Sequence, residues 1–342
     1  MATAQPAVAG ELEQYRRELT GYCYRMLGSA FDAEDAVQET MLRAWRSLDR
    51  FEGRSALKSW LYRIATNVCF DALAGRERRA RPMDLGPAQE PLFENLAELP
   101  EVTWITPLPT PDELAEQRET LRLAFVAALQ HLPPNQRAVL ILREVLGFSA
   151  KEVAEALDTT TASVNSALQR ARASVEERTP EQTQQATLRA LGDEKLKQIV
   201  DRYVEAWENC DVDTVVAMLS EDVSFAMPPL ASWFHGRESL SVFLAGWPLS
   251  GDWRWRPIPV RANGQPALAF YTWDEDEQAY VPFALNVLTL RGEQISDVVA
   301  FVNRAVEATE REAYHRWVDE PTDAERLHGT FERFGLPARI EA

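Results

Sequence analysis

Apolar residues recur at helical spacing through the first half of the chain, and strand-like runs appear only in the second. From Glu11 to Leu27 they fall at Leu12, Tyr15, Leu19, Tyr22, Cys23 and Met26, which predicts an amphipathic helix ended by Gly28 and Ser29. A second stripe, Ala36, Val37, Thr40, Met41, Ala44, Trp45 and Leu48, predicts a helix with Asp32 as its N-cap. After the loop Phe51 to Ser59, a helix from Ala56 to Leu73 has Leu57, Trp60, Leu61, Ile64, Val68 and Ala72 on one side and Arg63, Asn67 and Asp71 on another. Two further helices are expected over Asp112 to Leu129 and Gln136 to Leu146, with Leu132-Pro133-Pro134 breaking the chain and Asn135 capping the second.

The stretch Ser149 to Val175 reads as two short helices around a tight turn. Ser149 and Glu152 have capping-box spacing. Asp158 and Thr159 to Thr161 interrupt the pattern with residues that favour caps and turns. The second helix has its stripe at Val164, Ala167, Leu168, Ala171 and Val175. Its other face holds Ser163, Asn165, Ser166 and Gln169, then Arg170 and Arg172 toward the C-terminus. Compact hydrogen-bonding groups followed by guanidinium groups suit base edges and phosphates in a major groove. An ordinary helical hairpin with a solvated face has the same pattern, so upstream sequence decides between the two.

Beyond Thr179 the pattern changes. Glu194 to Trp207 and Asp213 to Leu219 read as helices, followed by strand-like runs at Val223 to Ala226, Trp253 to Ala262, Ala267 to Trp273, Val281 to Arg291 and Ile295 to Val302. Asn263-Gly264 is a hairpin signal. Helices first and a curved antiparallel sheet afterwards indicate an α+β domain. Helices around Tyr314 to Val318 and Ala324 to Phe334, broken at Pro321, form the tail, with Leu327, Phe331 and Phe334 as an apolar edge.

The net charge of −17 argues against DNA binding until it is divided along the chain. Residues 1–81 have a balance of +2 and residues 120–178 of +1, while residues 82–119 hold −8 and residues 179–342 hold −12. The two helical segments are too weakly basic to hold duplex DNA unaided, because phosphate neutralisation supplies most non-specific affinity. A partner is expected to dock them. The three cysteines, Cys23, Cys69 and Cys210, are widely spaced and suggest no metal site, but buried thiols in a reducing cytoplasm. No run is long enough to span a bilayer, and the N-terminus shows no secretory pattern; a cytoplasmic protein with no cofactor is expected.

DAEDAVQETMLRAW, the loop after it and WLYRIATNVCFDAL together resemble region 2 of the extracytoplasmic-function (ECF) sigma factors of the sigma-70 family. LPPNQRAVLILREVLGFSAKEVAEALDTTTASVNSALQRARASV resembles their region 4. The resemblance implies core RNA polymerase, through its β and β′ subunits, and promoter DNA as partners. It implies that Asp32, Asp35, Gln38 and Glu39 meet the polymerase clamp helices. It places Lys58, Trp60, Arg63 and Asn67, with the basic run Arg76, Arg78 and Arg79, at the minus-ten element, and Thr161, Ser163, Asn165, Ser166, Gln169, Arg170 and Arg172 at the minus-thirty-five element. One departure stands out: Ala72, Leu73, Ala74 and Gly75 separate Asp71 from the basic run, where the family often continues with arginines. Trp60 by itself reads as a core residue more readily than as a base-stacking platform.

LKQIVDRYVEAWENCDVDTVVAMLSEDVSFAMPP and WFHGRESLSVFL are similar to the SnoaL-like domain, a cone-shaped sheet closed by helices. The combination resembles the SigJ- and SigG-like group of sigma factors. The expected order is region 2 over 10–81, an acidic Pro-rich linker over 82–111, region 4 over 112–178, the α+β barrel over 192–308 and a helical tail over 309–342. Relatives of the barrel use a pocket carboxylate or histidine. Here His235 and Asp297 are the candidates, with Trp233, Trp247, Tyr271 and Trp273 as walls of a pocket that could admit a small-molecule ligand. No pair has a spacing that demands catalysis, so the barrel reads as regulatory, holding the linker or the two DNA modules closed. The linker has seven prolines and reads as extended, its charge mimicking a transcript in the polymerase channel. Trp104 and Ile105 are conspicuous in it and are expected to dock on another part of the chain. Two other readings are a bifunctional isomerase or cyclase and a one-component helix-turn-helix repressor, the latter leaving the first 80 residues idle.

Overall fold

The computed structural model describes residues 12–48, 51, 56–91, 104–110, 118–178, 184–303 and 328–342. The chain divides into two compact units, Met1–Arg79 with Leu123–Pro180, and Ala80–Arg122 with Glu181–Ala342.

The first unit is all helical: α1 (Arg16–Leu27), α2 (Ala30–Ser47), α3 (Leu57–Leu73), α4 (Leu123–Gln130), α5 (Pro134–Leu140), α6 (Ala150–Ala156) and α7 (Thr161–Glu176). Gly28 closes α1 in the left-handed region at φ 71° and donates its N–H to Tyr24 O. A Cβ there would lie 3.1 Å from the Gln130 side chain, so the backbone angle favours glycine and any larger residue would push Gln130 aside. The N-cap of α2 is Ser29, not Asp32: Ser29 is extended and its hydroxyl accepts from Asp32 N–H. The helix therefore starts earlier and Asp32 sits in its first turn. Helix α2 buries Ala33, Ala36, Val37, Thr40 and Ala44, a narrow seam of small residues. Trp45 lies beside that seam and is 56% exposed, contrary to the periodicity, with Leu42 at 41%. Helices α1 and α3 meet through the Tyr22–Thr66 hydrogen bond (2.6 Å) and an edge-on Tyr22–Tyr62 ring pair.

Pro133, rather than Asn135, caps α5, and Pro134 opens it, where its missing N–H costs nothing. The expected helix to Leu146 gives way to a π-helical turn over Ile141–Val145. Both halves of the Ser149–Glu152 capping box form, at 2.8 and 3.2 Å. Asp158 takes φ 49° in the turn, Thr160 caps α7, and the buried residues of α7 are Val164, Ala167, Leu168, Ala171 and Val175. Arg137 of α5 joins the two helical groups by donating to Met26 O at the end of α1, to Gln130 Oε1 (2.7 Å) and to the carbonyls of Gln130 and Leu132 (both 3.1 Å). Gln130 Nε2 donates in turn to Arg25 O at 3.2 Å.

Of the expected Asp112 to Leu129 helix, the turn Arg118–Leu121 belongs to the second unit and Leu123 onward forms α4 of the first, with a break at Arg122; residues 112–117 lie outside the described residues. Helix α8 (Gln184–Glu208) starts ten residues before the periodicity and kinks at Gly192. Helices α9 (Val212–Met218) and α10 (Arg237–Gly246) accompany one mixed sheet of β1 (Leu219–Ala226), β2 (Trp233–His235), β3 (Trp255–Ala262), β4 (Gln265–Asp274), β5 (Ala279–Arg291), β6 (Gln294–Val302) and β7 (Ile340–Glu341). The main order is β2-β1-β6-β5-β4-β3, with β7 added to β5. All pairs are antiparallel except β1–β6, which corrects the wholly antiparallel expectation. Strand periodicity fixes which residues share a face, but not which strand is the neighbour. The short strands β2 and β7 escape the pattern altogether. Asn263 and Gly264 take φ of 55° and 69° at the β3–β4 turn, as a type I′ hairpin needs.

Phe225, Leu268, Phe270, Phe283, Leu288, Val298 and Ala300 of the sheet share one core with Tyr203, Trp207, Phe243 and Leu244 of the helices. The linker lies in this unit. Trp104 pairs with Ala80, and Pro109 pairs with Ala262 of β3. At the opposite edge, Trp233 Nε1 donates to Gly86 O and Gln89 N–H donates to Trp233 O, both at 2.9 Å. Trp104 and Ile105 are buried, as their apolar character in a polar segment led one to expect. Burying an indole of that size stabilises the arrangement by about 4 kcal/mol. In the tail, His328–Glu332 is a π-helical turn, not part of an α-helix, and Phe331 packs on Tyr271. The segment expected as a helix over 314–318, and Leu327, lie outside the described residues.

Candidate functional site

Helix α7 displays Thr161, Ser163, Asn165, Ser166, Gln169, Arg170 and Arg172 on its exposed surface. Thr160 holds the start of the helix by accepting from Ser163 N–H at 3.1 Å and hydrogen-bonding its hydroxyl at 3.0 Å. Arg170 donates to Ser166 Oγ (2.6 Å), and Arg172 pairs with Glu144 (2.6 Å). Short polar groups thus precede two cations along a helix that is rigid because its other stripe is buried.

On α2, Asp35 and Gln38 are exposed and lie in line with Leu42 and Trp45 at spacings of three and four. Asp32 is half-buried between Arg76 (3.1 Å) and Arg79 (2.9 Å). Glu39 pairs with Arg43 (2.6 Å), which also reaches Asp71 (3.0 Å); these hydrogen bonds raise the Arg43 pKa. Lys58 pairs with Glu18 (2.7 Å) and lies over the Tyr62 ring. Arg78 lies 2.5 Å from His131 Nδ1. Trp60 is half-buried against Phe51, and residues 52–55 of the expected loop lie outside the described residues. Arg63 and Asn67 are exposed on α3. Asn67 and Ile64 form, with Arg43, Arg46 and Ser47 of α2, an open cleft of about 270 Å³. A cationic cleft with an amide and an apolar floor can accept an unpaired base and its phosphate.

The barrel encloses a cavity of about 30 Å³, walled mainly by Trp207, Phe225, Phe243, Trp247, Trp255, Phe270 and Phe283. That is room for about two waters. Its polar lining residue is Asn286, whose buried Oδ1 has no hydrogen-bond partner. Of the six residues expected to form the pocket, only Trp247 lines it. Strand alternation explains the correction: Phe270 points inward, so Tyr271 and Trp273 stand on the other face, where Tyr271 donates to Pro337 O (2.8 Å) and Trp273 packs on Tyr280. His235 is exposed at the end of β2, beside Trp233. Asp297 also faces away from the cavity, accepting from Ser224 Oγ and, at 3.5 Å, from Thr289 Oγ1. Burial pushes its carboxyl above the usual carboxylate range, while Arg81 and the two hydroxyls act the other way and Asp84 adds to the rise. Among the described residues no cluster could hold a metal ion, and no helix is long and apolar enough to cross a membrane.

Family models match in three places: Sigma-70 region 2 over residues 12–79, Sigma-70 region 4 over 122–175, and a SnoaL-like domain over 200–298. The ECF RNA polymerase sigma factor SigG of Mycobacterium tuberculosis is 44% identical over 300 residues, covering 85% of this chain and 80% of SigG. The chain belongs to the ECF sigma factors. The ECF RNA polymerase sigma-E factor of Escherichia coli (strain K12) is 31% identical over 163 residues, 48% of this chain and 81% of sigma-E. The crystal structure of the M. tuberculosis ECF sigma factor SigJ has the same fold, with a TM-score of 0.55 and 22% identity over 86% of this chain and 96% of SigJ.

The function of an ECF sigma factor, promoter recognition and transcription initiation by RNA polymerase, is thus the function of this chain. The structure brings Asp32 together with Arg76 and Arg79, two groups that sequence reasoning assigned to different partners. It separates the barrel candidates from the cavity. Sequence reasoning missed Leu42 and Trp45 as surface residues of the sigma factor. The signal was present: the small residues Ala33, Ala36, Val37, Thr40 and Ala44 already make a complete seam without them.

Proposed function

We propose that this sigma factor docks on core RNA polymerase through the line Asp35, Gln38, Leu42 and Trp45 on α2, with Asp32 and Glu39 joining once their arginines part from them. Arg63, Asn67 and the cleft beside Arg46 take the melted minus-ten strand, Arg76, Arg78 and Arg79 its phosphates, and α7 reads the minus-thirty-five element. The observation that supports this most is α7 itself, whose exposed polar face lies over a fully buried stripe. The factor works in the cytoplasm with its polymerase. Its SnoaL-like domain regulates rather than catalyses, since His235 and Asp297 both lie away from the cavity. The unpartnered Asn286 Oδ1 among aromatic walls favours ligand sensing over an isomerase or cyclase as the second role of that cavity.

Transcription with purified core enzyme over a promoter library tests the reading. The wild-type chain gives a defined pair of promoter elements, and Trp45→Ala lowers affinity for core by about thirtyfold, as loss of a central tryptophan anchor does. Site-selective duplex binding by the isolated chain, indifferent to core, would overturn it.

A further inference from the structure

The linker stretch Trp104 to Thr110 sits on the barrel as a bound peptide sits in a receptor. Trp104, Ile105 and Leu108 are 1%, 2% and 4% exposed, yet the barrel's main apolar core closes without them. Backbone-directed hydrogen bonds fix both ends of the stretch, one end to the chain just before the linker and the other to the barrel. At one end Ile105 N–H donates to Ala80 O at 3.1 Å. At the other, the fully buried Asn263 does most of the holding. Its Oδ1 accepts from Leu108 N–H (3.0 Å), its own N–H donates to Leu108 O (2.9 Å), and its Nδ2 donates to Leu121 O (2.8 Å). Next to it, Gly264 N–H donates to Thr110 Oγ1 at 2.8 Å. One side chain at a hairpin tip therefore ties down two points of the segment that joins region 2 to region 4. A passive tether needs none of this: a proline-rich acidic segment is well solvated and gains nothing by being held.

We infer that Trp104 to Thr110 is a releasable intramolecular ligand of the SnoaL-like barrel, keyed by Asn263, and that its seating restrains the sigma factor until the linker is withdrawn. The seat is a geometric claim about the barrel; the restraint rests on the sigma-factor reading above. Release leaves the barrel core intact, because the seated residues are no part of it. It exposes an indole and two aliphatic side chains, so the seat favours the closed form whenever nothing else takes the linker.

Asn263→Gly in the full chain is the discriminating variant. Glycine keeps the left-handed turn at φ 55° and deletes both side-chain hydrogen bonds. Hydrogen exchange over residues 104–110 is expected to speed up by about tenfold, the effect of losing roughly one net buried hydrogen bond. Transcription with limiting core rises in the same direction, since the competent fraction of the chain grows. Conversely, Pro109→Cys with Ala262→Cys places two thiols at paired positions of an antiparallel bridge, close enough for a disulfide. The oxidised chain should lose transcription and regain it with dithiothreitol, relative to wild type treated identically. Unchanged exchange in Asn263→Gly overturns the seat. Faster exchange with wild-type output, or full activity of the crosslinked chain, overturns the restraint. If exchange responds as expected while neither wild type nor any variant transcribes with core, the seat stands and the sigma-factor reading fails instead.

Discussion

Replacing Arg137 by methionine should loosen the join between α1 and α5 by an amount the structure allows one to work out. Arg137 is buried, and burial pushes its pKa down to about 10, so at neutral pH the protonated form still dominates by about a thousandfold. Its four acceptors are Met26 O, Gln130 Oε1, Gln130 O and Leu132 O. Met26 O belongs to the last turn of α1, where carbonyls lack helical partners and a cation is favoured. Each bond from a charged donor is worth about 1.5–3 kcal/mol. Several kcal/mol of that is offset by the desolvation of the guanidinium group. Methionine restores the apolar volume but leaves buried acceptors bare, so the net loss is about 3 kcal/mol, a factor of about 150 in the local opening equilibrium. Hydrogen exchange of peptides from the end of α1 and from α5 measures that opening directly, without requiring two-state unfolding of a two-unit chain. Arg137→Lys, with fewer donors, should fall between. Exchange in Arg137→Met within about threefold of wild type would show that Arg137 fills space rather than holding the helices together.

Glu144→Ala should free Arg172 on α7 from its ion pair; surface pairs are worth up to about 1 kcal/mol, so holoenzyme binding to a minus-thirty-five element should tighten by about two- to fivefold. Equal binding by the variant and wild type would mean that the pair does not compete with phosphate. For Asp297, the folded-state pKa is raised above the unfolded one, so its ionised form at neutral pH costs stability and the cost fades as pH falls through the folded value. Asp297→Asn should therefore raise the thermal midpoint of the barrel at pH 7, with the gain shrinking toward pH of about 4. A gain independent of pH would point to packing rather than charge.

The residues of α7 that sequence periodicity assigned to its buried stripe are the buried ones, and the Ser149–Glu152 box and the Asn263-Gly264 turn formed where the residues required them. These features are set by backbone angles and contacts within a few positions, so neighbours in sequence suffice to specify them. Burial of Trp104 and Ile105 was foreseeable for another reason: apolar groups in a polar segment must either leave water or bind something. Which surface received them was not foreseeable. The exposure of Trp45 depended on which stripe of α2 the neighbouring helices cover, and the single parallel pair β1–β6 on the order in which the strands assemble. The exclusion of Tyr271, Trp273 and Asp297 from the cavity turned on which strand face the helices cover, a choice that one residue of register reverses. Arg137 and Asn263 read as an ordinary helix residue and an ordinary turn residue. They became fasteners only because residues 111 and 155 positions away came within hydrogen-bonding reach, and no local pattern encodes that proximity.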